Sequence, residues 1–533
     1  MERSPKRARP ARRQLGQVMT PRGLAARLVS ELPLAPGGRV LEPSFGEGSF
    51  LLPLIERLAG LVGYERALRE HVWGVELDPV LYSRAVASIE ARWGPLPDGH
   101  NLTCADYFRV EPERPFDLIV GNPPFGGTFD AAIEDALDRR FGRYRGHKLK
   151  KETYSFFVAK ALDELARGGR LRVICSDTFL TINTMRGLRE LLLDSGSVRV
   201  SELPGEFEET KQPMVLLDLE QGPPADYALI RGASLPRAAM EQTANLSFGL
   251  RPEHAPYFAG PTLGEFVVAT GGMTIGRNEW FVRPIAADGT IDEPYEFEFF
   301  DRPITVEGEL ARARLNRMSP KVRERVAERE RRGETRRAVR VRKRAEPLRI
   351  KLPHPHYRPY NKARPARVYA KPSHVVFWRD DGDAALTFKR DGPWYLRGVG
   401  GQPYFGREGI TWQLVAPRIN ARYLPPGFIL DSGAPCAFLR EGVARRELFA
   451  VLGWLQSSLA TRLLKEAVNH TRNIQGKDIE RLPYPHWVAS DRLDDVAVLV
   501  EHEVMRAMNG IAIANDLSRR LDAMFEPAAA QAA

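Results

Sequence analysis

The chain has 533 residues, 43% of them hydrophobic, and a formal net charge of +10. This length suggests two or three domains, each able to bury a core of its own. No apolar run approaches the roughly 18 residues of a membrane span, and the N-terminal MERSPKRARPARR lacks the apolar core of a signal peptide. We therefore predict a soluble, cytoplasmic protein.

The positive charge is concentrated in two segments. Residues 311–346 hold 15 Lys/Arg and five Asp/Glu, and residues 1–13 hold six basic residues and one acid. Concentrated positive charge of this kind is typical of proteins that bind a polyanion such as nucleic acid. A solvated charged helix with a disordered basic tail has the same composition, so charge alone leaves both interpretations open.

Residues 20–220 alternate between short apolar segments and amphipathic ones. The predicted strands are GRVLEP, HVWGVEL, FDLIVGN, GRLRVICS and MVLLDLE, and the predicted helices are LLPLIERLAGLV, VLYSRAVASIEARW and TYSFFVAKALDELA. The alternation predicts a parallel α/β sheet with helices on both faces. Ligands bind such sheets at the carboxyl ends of the strands, so the residues after each strand are candidate site residues.

The first predicted strand ends in Glu42 and continues as PSFGEGSF. Gly46 and Gly48 allow a ligand to approach the backbone at the start of a helix. The third glycine of a dinucleotide-binding fingerprint is missing, however, and a tight structural turn has the same sequence. Phosphate binding is not established by this loop.

The second predicted strand, HVWGVEL, ends near an acid, and so does a weaker strand in NLTCADYF. Glu76 is placed to accept hydrogen bonds from two ribose hydroxyls, whereas Asp78 is typical of a helix N-cap. Asp106, after a weaker strand, suits an adenine amino group, with Tyr107 or Phe108 packed against the ring. An ordinary aspartate in a turn at a strand end is an equal alternative for Asp106.

The apolar segment Leu118–Val120 leads into GNPPF, residues 121–125. This sequence resembles motif IV of the S-adenosylmethionine-dependent methyltransferases that act on amino groups. VLEPSFGEGSF, VWGVELDP and CADYF resemble their motifs I, II and III, and the upstream GQVMTPRGLAARLV resembles their motif X. This motif order is similar to that of the gamma class of DNA adenine-N6 methyltransferases, of the TaqI and Eco57I type.

The resemblance covers residues 14–220 and extends more loosely to TGGMTIGRNEWF and NIQGKDIERLPYP. It implies a Rossmann-like S-adenosylmethionine-dependent methyltransferase domain followed by a mixed α/β target-recognition domain. We place a basic tail at 1–13, the catalytic domain at 14–225 and the DNA-binding target-recognition domain at 226–533, with a basic helical segment at 308–346. The implied partners are double-stranded DNA and a cognate restriction endonuclease encoded nearby, with no membrane.

The same resemblance assigns catalytic roles to the GNPPF sequence. The side-chain carbonyl of Asn122 and the backbone carbonyl of Pro123 would accept the two hydrogens of the target amine. Pro124 would help to fix the loop, and Phe125 would stack on the flipped-out base. Phe207 is expected to supply a second stacking ring, although an aromatic anchor in a hairpin fits its position too.

The cofactor assignments also follow from the resemblance. Thr20 and Glu42 would contact the methionine end of S-adenosylmethionine, Glu76 the ribose, and Asp106 with Tyr107 the adenine. The implied cofactor-binding set is Thr20, Glu42, Pro43, Ser44, Gly46, Gly48, Glu76, Leu77, Asp106, Tyr107, Asn122 and Phe157. One departure from the family pattern is bulky Phe45, which stands where smaller residues are usual.

An NPPF loop does not by itself identify the substrate. Similar loops act on protein glutamine side chains, on guanine N2 and on adenine in ribosomal RNA. The basic, aromatic-rich sequence after residue 225 favours DNA adenine. RNA adenine or protein glutamine methylation, and a non-catalytic nucleic-acid-binding protein, are the alternatives. Because only 19 residues precede Thr20, we expect a stand-alone modification enzyme without an N-terminal nuclease domain.

The remaining candidate metal ligands are isolated. Cys104, Cys175 and Cys436 match neither a disulfide framework nor zinc-ligand spacing, so we predict buried thiols that behave as small apolar groups. His354 and His356 lie in a proline-rich stretch and are predicted to face solvent or DNA. We therefore predict no metal site.

Overall fold

The computed structural model describes residues 18–125, 131–149, 152–203, 205, 207, 213–275, 277–308, 320–391 and 401–526. The chain divides into two compact units, Met1–Pro256 with Glu466–His470, and Tyr257–Lys465 with Thr471–Ala533. The basic tail predicted at 1–13 lies outside the described residues. Within the described ranges, none of the helices combines the length and apolar character that a bilayer crossing requires.

The first unit is built on a nine-stranded sheet. Its strands are β1 (Val40–Glu42), β2 (Val72–Glu76), β3 (Asn101–Cys104), β4 (Phe116–Gly121), β5 (Leu165–Ser176), β6 (Gly196–Glu202), β7 (Met214–Gln221), β8 (Tyr227–Ile230) and β9 (Ala233–Pro236). Their order across the sheet is β9-β8-β6-β7-β5-β4-β1-β2-β3. The five strands predicted from apolar segments are all present.

Strands β3, β2, β1, β4 and β5 are parallel. Strand β7 runs antiparallel to both of its neighbours, β5 and β6, so the prediction of a wholly parallel sheet is wrong at β7. The connection 203–213 between β6 and β7 is shorter than the dozen or more residues of a parallel crossover. Strand order reverses between β1 and β4, which is where sheets of this type bind ligands.

The helices of the first unit lie between these strands along the chain. The α-helices are Arg22–Ser30, Leu51–Val62, Tyr64–Arg66, Pro79–Trp93, Ala131–Phe141, Thr153–Glu164, Arg186–Ser195 and Arg237–Glu241, with a π-helix at Ala67–His71. The three predicted helices are confirmed to within two residues of their predicted ends. Asp78 caps the helix Pro79–Trp93 by accepting a hydrogen bond from the Val80 N–H, as its position before a proline predicts.

Both faces of the sheet are buried. Alternate residues of the central strands point to opposite sides, so Leu41 and Ile119 belong to one core while Val40 and Val120 belong to the other. Each fully buried aliphatic side chain contributes about 1.5–3 kcal/mol through removal from water. The carboxyl ends of β1 and β4 are thus held on a rigid platform.

The first unit continues beyond the boundary predicted at residue 225. Strand β8 pairs in parallel with β6, and β9 pairs antiparallel with β8, so residues 227–236 extend the same sheet. The unit ends at Pro256 and includes the later segment Glu466–His470. In that segment, Glu466 lies 2.6 Å from His254 Nδ1. The change of composition after residue 225 is therefore not the domain boundary.

The second unit contains two four-stranded sheets and a long two-stranded ribbon. The first sheet has the order Val267–Thr270, Cys436–Leu439, Gly409–Thr411, Arg422–Leu424, and the second has the order Val282–Pro284, His374–Phe377, Tyr357–Asn361, Ile429–Leu430. The α-helices are Asn278–Phe281, Pro320–Arg331, Asp383–Asp391, Arg446–Gln456, Ser458–Leu463, Gly476–Glu480, Ser490–Met508 and Leu517–Phe525.

The segment predicted as basic helices, 308–346, is only partly helical. The helix Pro320–Arg331 is followed by the strand Thr335–Lys351, which pairs antiparallel with Thr290–Pro303; residues 309–319 lie outside the described ranges. We call this pair of strands the basic ribbon. Its sequence AVRVR places Val339 and Val341 against the apolar core, while Arg340 and Arg342 are exposed. This two-residue alternation outweighs the helical propensity of the arginines.

The prediction of three buried cysteines is wrong for Cys104. Cys175 and Cys436 are buried, whereas Cys104 is exposed because it ends β3, the edge strand of the sheet. Burial raises the pKa of the Cys175 thiol above its ordinary value and that of Cys436 to about 12. Both buried thiols are therefore neutral at physiological pH.

Candidate functional site

The carboxyl ends of β1, β2 and β4 bring the predicted site residues together. Glu42 ends β1, Glu76 ends β2 and Asn122 directly follows β4. The loop after β1 is fastened to the neighbouring ends: the Gly46 N–H donates to Glu76 Oε2 at 2.7 Å, and Ser44 Oγ donates to the Asn122 backbone carbonyl at 3.4 Å. Sequence positions up to 78 residues apart therefore form one surface.

Phe45, the bulky departure from the family pattern, belongs to the core. It is 2% exposed and packs against Tyr82 with ring centroids 5.8 Å apart. A Cβ atom at Gly74 would lie 2.9 Å from Phe45 Cδ1, so glycine at position 74 makes room for the ring. Gly46 and Gly48 have φ of +57° and +87°, which turns the chain back above the ring.

The side chain of Asn122 is held by the segment before the first helix. Its Nδ2 donates to the Val18 carbonyl and to Thr20 Oγ1, both at 2.9 Å. A backbone carbonyl can only accept, so Val18 fixes which end of the amide faces it. The Thr20 backbone carbonyl accepts from Ser49 Oγ at 2.9 Å, which ties this segment to the loop after β1.

The opposite end of the Asn122 amide is without a partner. Its Oδ1 is buried and accepts no hydrogen bond from any residue that the structure describes. A buried unsatisfied carbonyl costs about 1–3 kcal/mol, and such atoms at a strand end are candidates for ligand contact. The adjacent Pro123 contributes a backbone carbonyl, and Pro123 and Pro124 restrict the backbone that carries both oxygens.

Two acidic side chains are buried beside this amide. Burial, and secondly the neighbouring Glu76, raise the pKa of Glu42 well above its ordinary value. Burial also raises the pKa of Glu76, against the lowering effect of hydrogen bonds from the Asp78 and Gly46 N–H groups. Among the described residues, Glu42 Oε2 has no hydrogen-bond partner and neither carboxyl has a cationic partner within 4.0 Å. The site therefore favours a ligand that carries positive charge.

The predicted adenine-contacting residues lie after β3, and part of their hydrogen-bonding capacity is used within the protein. Asp106 Oδ1 accepts from the Phe108 N–H at 3.0 Å, which is the turn role left open by its sequence position. Tyr107 is buried and its hydroxyl donates to Glu164 at 2.6 Å. Phe157 packs against the Tyr107 ring at 5.0 Å and the Phe108 ring at 4.7 Å. Phe108, the alternative to Tyr107 for packing against the adenine ring, is half-buried.

Three further predicted residues lie at the edge of this surface. Leu77, directly after Glu76, is 53% exposed and presents apolar surface beside a polar strand end. Phe125 is half-buried, with its ring 5.8 Å from that of Tyr154. Phe207 is half-buried against the core that contains Phe45. Each has exposed ring or side-chain surface available to a ligand.

The sequence did not reveal what holds Asn122 in place. Thr20 was predicted to contact the cofactor, but in the structure its hydroxyl accepts a hydrogen bond from Asn122. The carbonyl of Val18 and the hydroxyl of Ser49 were not predicted at all. Backbone carbonyls have no sequence signature, and the partners are more than 100 residues apart.

Thr20→Val should slow the methyl transfer predicted from the motifs, because it removes the hydroxyl that orients the Asn122 amide while keeping the side-chain shape. We expect a loss of about tenfold in single-turnover rate, the lower range for a misplaced reacting group, with recovery in Thr20→Ser. Thermal unfolding serves as the control for folding. Equal rates in the Val and Ser variants would contradict this role.

Across the described ranges, no group of three His, Cys, Asp or Glu side chains could hold a metal ion. His354 and His356 pack ring to ring at 5.0 Å, and burial and then His354 lower the pKa of His356. Ring packing within the protein thus accounts for the position of both histidines.

Part of the chain is similar in sequence to known methylases and methyltransferases. Residues 96–201 match the family model described as Eco57I restriction-modification methylase. The Type II methyltransferase M.TthHB8I of Thermus thermophilus is 30% identical over 219 residues, which are 39% of this chain and 46% of that protein. M.PaeR7I of Pseudomonas aeruginosa is 27% identical over 191 residues, 30% of this chain and 31% of that protein. The chain thus matches less than half the length of these relatives.

The fold is shared with larger assemblies. The DrdV–DNA complex matches 94% of this chain and 58% of its own, with a TM-score of 0.55 and 14% identity. The nuclease-deletion mutant of LlaGI, in complex with a DNA substrate mimic, matches 92% of this chain and 47% of its own, with a TM-score of 0.53 and 13% identity. The predicted Rossmann-like domain with an additional domain is confirmed. Residues 96–201 are thus similar to the Eco57I restriction-modification methylases, which agrees with the restriction-modification type of DNA methyltransferase predicted from the motifs.

Proposed function

We propose that this chain is a site-specific DNA methyltransferase of the restriction-modification type, which transfers a methyl group from S-adenosylmethionine to N6 of adenine in double-stranded DNA in the cytoplasm. The observation that supports it is the Asn122 amide. Val18 and Thr20 hold its nitrogen, while its buried oxygen has no partner among the described residues. This oxygen is a fixed acceptor with no donor among the described residues, as a substrate amine requires.

An exocyclic amine needs exactly such acceptors, because its lone pair is delocalised into the ring. Asn122 Oδ1 and the Pro123 carbonyl would accept its two hydrogens and draw the nitrogen towards a tetrahedral arrangement. The lone pair would then point at the methyl group. Fixed geometry of this kind can lower a barrier by several kcal/mol, and here it requires no charged base.

The buried acids fit the proposed cofactor. S-adenosylmethionine supplies a methyl group on a positively charged sulfonium and also carries an ammonium group. Glu42, with one orphaned carboxylate oxygen, would hold the positive methionine end. Each Glu76 oxygen accepts one backbone N–H and retains a second lone pair for a ribose hydroxyl. Pro43, Ser44, Gly46 and Gly48 would surround the cofactor with backbone, and Leu77, Asp106, Tyr107 and Phe157 would bound its adenine.

A base within a duplex cannot reach these acceptors. We propose that the target adenine is flipped out of the helix, at a cost of about a few kcal/mol. Stacking on an aromatic side chain is worth about 1–3 kcal/mol per base and would offset part of this cost. Phe125, directly after the two prolines, and Phe207 are the proposed stacking residues. Together with Asn122, Pro123 and Pro124, Phe125 forms the proposed catalytic loop.

Base-resolution mapping of modified DNA from cells that express the protein would test this function. We expect N6-methyladenine at one short recognition sequence, and its absence from cells that express Asn122→Ala. Protection of that sequence from cleavage would identify a cognate restriction endonuclease, the proposed partner. Methyl groups found only in RNA or on protein glutamine would instead support the alternatives that an NPPF loop allows.

A further inference from the structure

The second unit contains a concave surface that is rich in cations. It is formed by residues 362–372, KARPARVYAKP, which we call the KARP loop, together with Ser373 and the strand Arg422–Leu424. The loop holds Lys362, Arg364, Arg367 and Lys371 and no Asp or Glu. The Tyr423 N–H donates to the Val368 carbonyl at 2.7 Å, which attaches the middle of the loop to the strand Arg422–Leu424.

Most of this charge is not neutralised by acids. Lys362 pairs with Asp431, but no carboxylate among the described residues lies within 4.0 Å of the charged groups of Arg364, Lys371 or Arg422. Arg364 Nη1 donates to the Lys371 carbonyl at 2.9 Å, which closes the loop and leaves its other donors available. Three cationic groups therefore surround one concavity without a matching acid.

Arg422 provides a buried base for the loop. It is 3% exposed, and its guanidinium donates to Asn361 Oδ1 at 2.8 Å and to the carbonyls of Lys362 and Arg364 at 3.0 and 3.1 Å. Burial and the neighbouring Arg364 lower the pKa of Arg422 to about 10, which leaves it charged at neutral pH. The loop backbone is thus held over a permanent positive charge.

His374 lies within electrostatic range of two of these cations. Burial, and then the cations Lys362 and Arg364, lower the pKa of His374, against the raising effect of Asp431. Such a concavity suits a compact anion with several acceptor oxygens.

The basic ribbon, which carries more cations, is different. Arg340 and Arg342 pair with Glu298 at 3.2 and 3.0 Å, and Arg337 pairs with Asp383 at 2.6 Å. The strand Thr290–Pro303 places four acids opposite arginines of the partner strand: Asp292, Glu296, Glu298 and Asp301. Much of the charge that stands out in the sequence is therefore neutralised by the fold, whereas in the KARP loop only Lys362 pairs with an acid among the described residues.

We propose that the KARP loop binds a backbone phosphate of the DNA substrate, with Arg364 and Lys371 as the contacting residues and Arg422 as the positioning residue. The inference rests on the proposed function for the identity of the polyanion. A phosphate contact fixes register without reading bases. A free phosphate or nucleotide offers the same oxygens, so the test must distinguish it from DNA.

The test compares two double variants that remove the same charge. Arg364→Gln with Lys371→Gln should lower the slope of log affinity against log salt by about 0.9, the value for one duplex phosphate, and weaken DNA binding by about tenfold near 0.1 M salt. Arg340→Gln with Arg342→Gln, in the ribbon, should change both quantities much less. Affinity is measured by fluorescence anisotropy with a labelled duplex.

The single variant Lys371→Gln is the control for loss of structure, because Lys371 is exposed. It should keep the wild-type unfolding temperature and still bind DNA more weakly. Equal losses in the loop and ribbon variants, or none in the loop variants, would overturn the proposal. A third result would also overturn it: inorganic phosphate stabilises the wild type but not the loop variants against heat, while the salt slope of DNA binding stays the same in all of them. That result would mark the loop as a site for a free anion. Wild-type methyl incorporation into DNA is measured in parallel, and its absence would refute the proposed function separately.

Discussion

Asn122→Ala is expected to reduce methyl transfer to DNA by at least about 10²–10³-fold, the scale of losing one preorganised hydrogen bond to a reacting group. The substitution removes the side-chain acceptor that directly follows β4, while the Pro123 carbonyl remains. Because Asn122 is half-buried and Val18 and Thr20 lose only one donor, the fold should be retained. Single-turnover incorporation of labelled methyl groups measures the loss.

The matched control is Asn101→Ala. Asn101 begins β3, and its amide donates to backbone carbonyls of residues 68 and 69, away from the site. It should retain wild-type methyl transfer. Calorimetry should show that Asn122→Ala binds S-adenosylmethionine with nearly wild-type affinity. Wild-type turnover in Asn122→Ala would refute the proposed catalytic role of this residue.

Glu42→Gln is expected to have opposite effects on ligand-free stability and cofactor binding. In the ligand-free protein it removes a buried carboxyl that resists ionisation, so the unfolding free energy at neutral pH should rise, by about 0.5–2 kcal/mol. Affinity for S-adenosylmethionine should fall by about tenfold or more, because a buried charged partner of the methionine end is lost. Thermal unfolding and calorimetry measure the two effects.

The contribution of Glu42 to folding stability depends on pH with a definite sign. The pKa of Glu42 is raised in the folded state, so the folded protein binds more protons than the unfolded chain between the ordinary and the raised pKa. Ionised Glu42 is unfavourable in the folded protein because it is buried. Its destabilising effect therefore grows as pH rises from the ordinary pKa through the raised pKa. The stability gain of Glu42→Gln should grow over the same range, while wild-type cofactor affinity should increase.

Glu47→Gln is the control for this prediction. Glu47 lies in the same loop but pairs with Arg84 at 2.7 Å on the surface. It should alter neither cofactor affinity nor unfolding by more than about 0.5 kcal/mol. If Glu42→Gln binds the cofactor as tightly as the wild type, Glu42 does not contact its positive end.

The central strands of the fold could be predicted because their residues are buried on both faces. Segments such as Leu118–Val120 are continuously apolar, and the helix Leu51–Val62 has clear helical spacing. The direction of β7 could not be predicted, because an apolar strand has the same composition in either orientation. In the basic ribbon, the alternation Val339, Arg340, Val341 was present in the sequence, but the abundance of arginine suggested helix instead.

The site was predictable where a side chain follows a strand. Glu42, Glu76 and Asn122 meet because the carboxyl ends of parallel strands lie at one edge. The position of Phe45 depended on the absence of a side chain at Gly74, a contact that no local pattern indicates. The hold on Asn122 depended on a backbone carbonyl at Val18, which every residue possesses.

Nucleoside analysis of DNA methylated in vitro tests the central claim most directly. Purified protein is incubated with labelled S-adenosylmethionine and duplex DNA, which is then digested to nucleosides and analysed by mass spectrometry. The proposed function predicts label in N6-methyl-2′-deoxyadenosine alone, and none with the Asn122→Ala variant. Label in a methylated cytosine or guanine, or in RNA or protein but not in DNA, would contradict it.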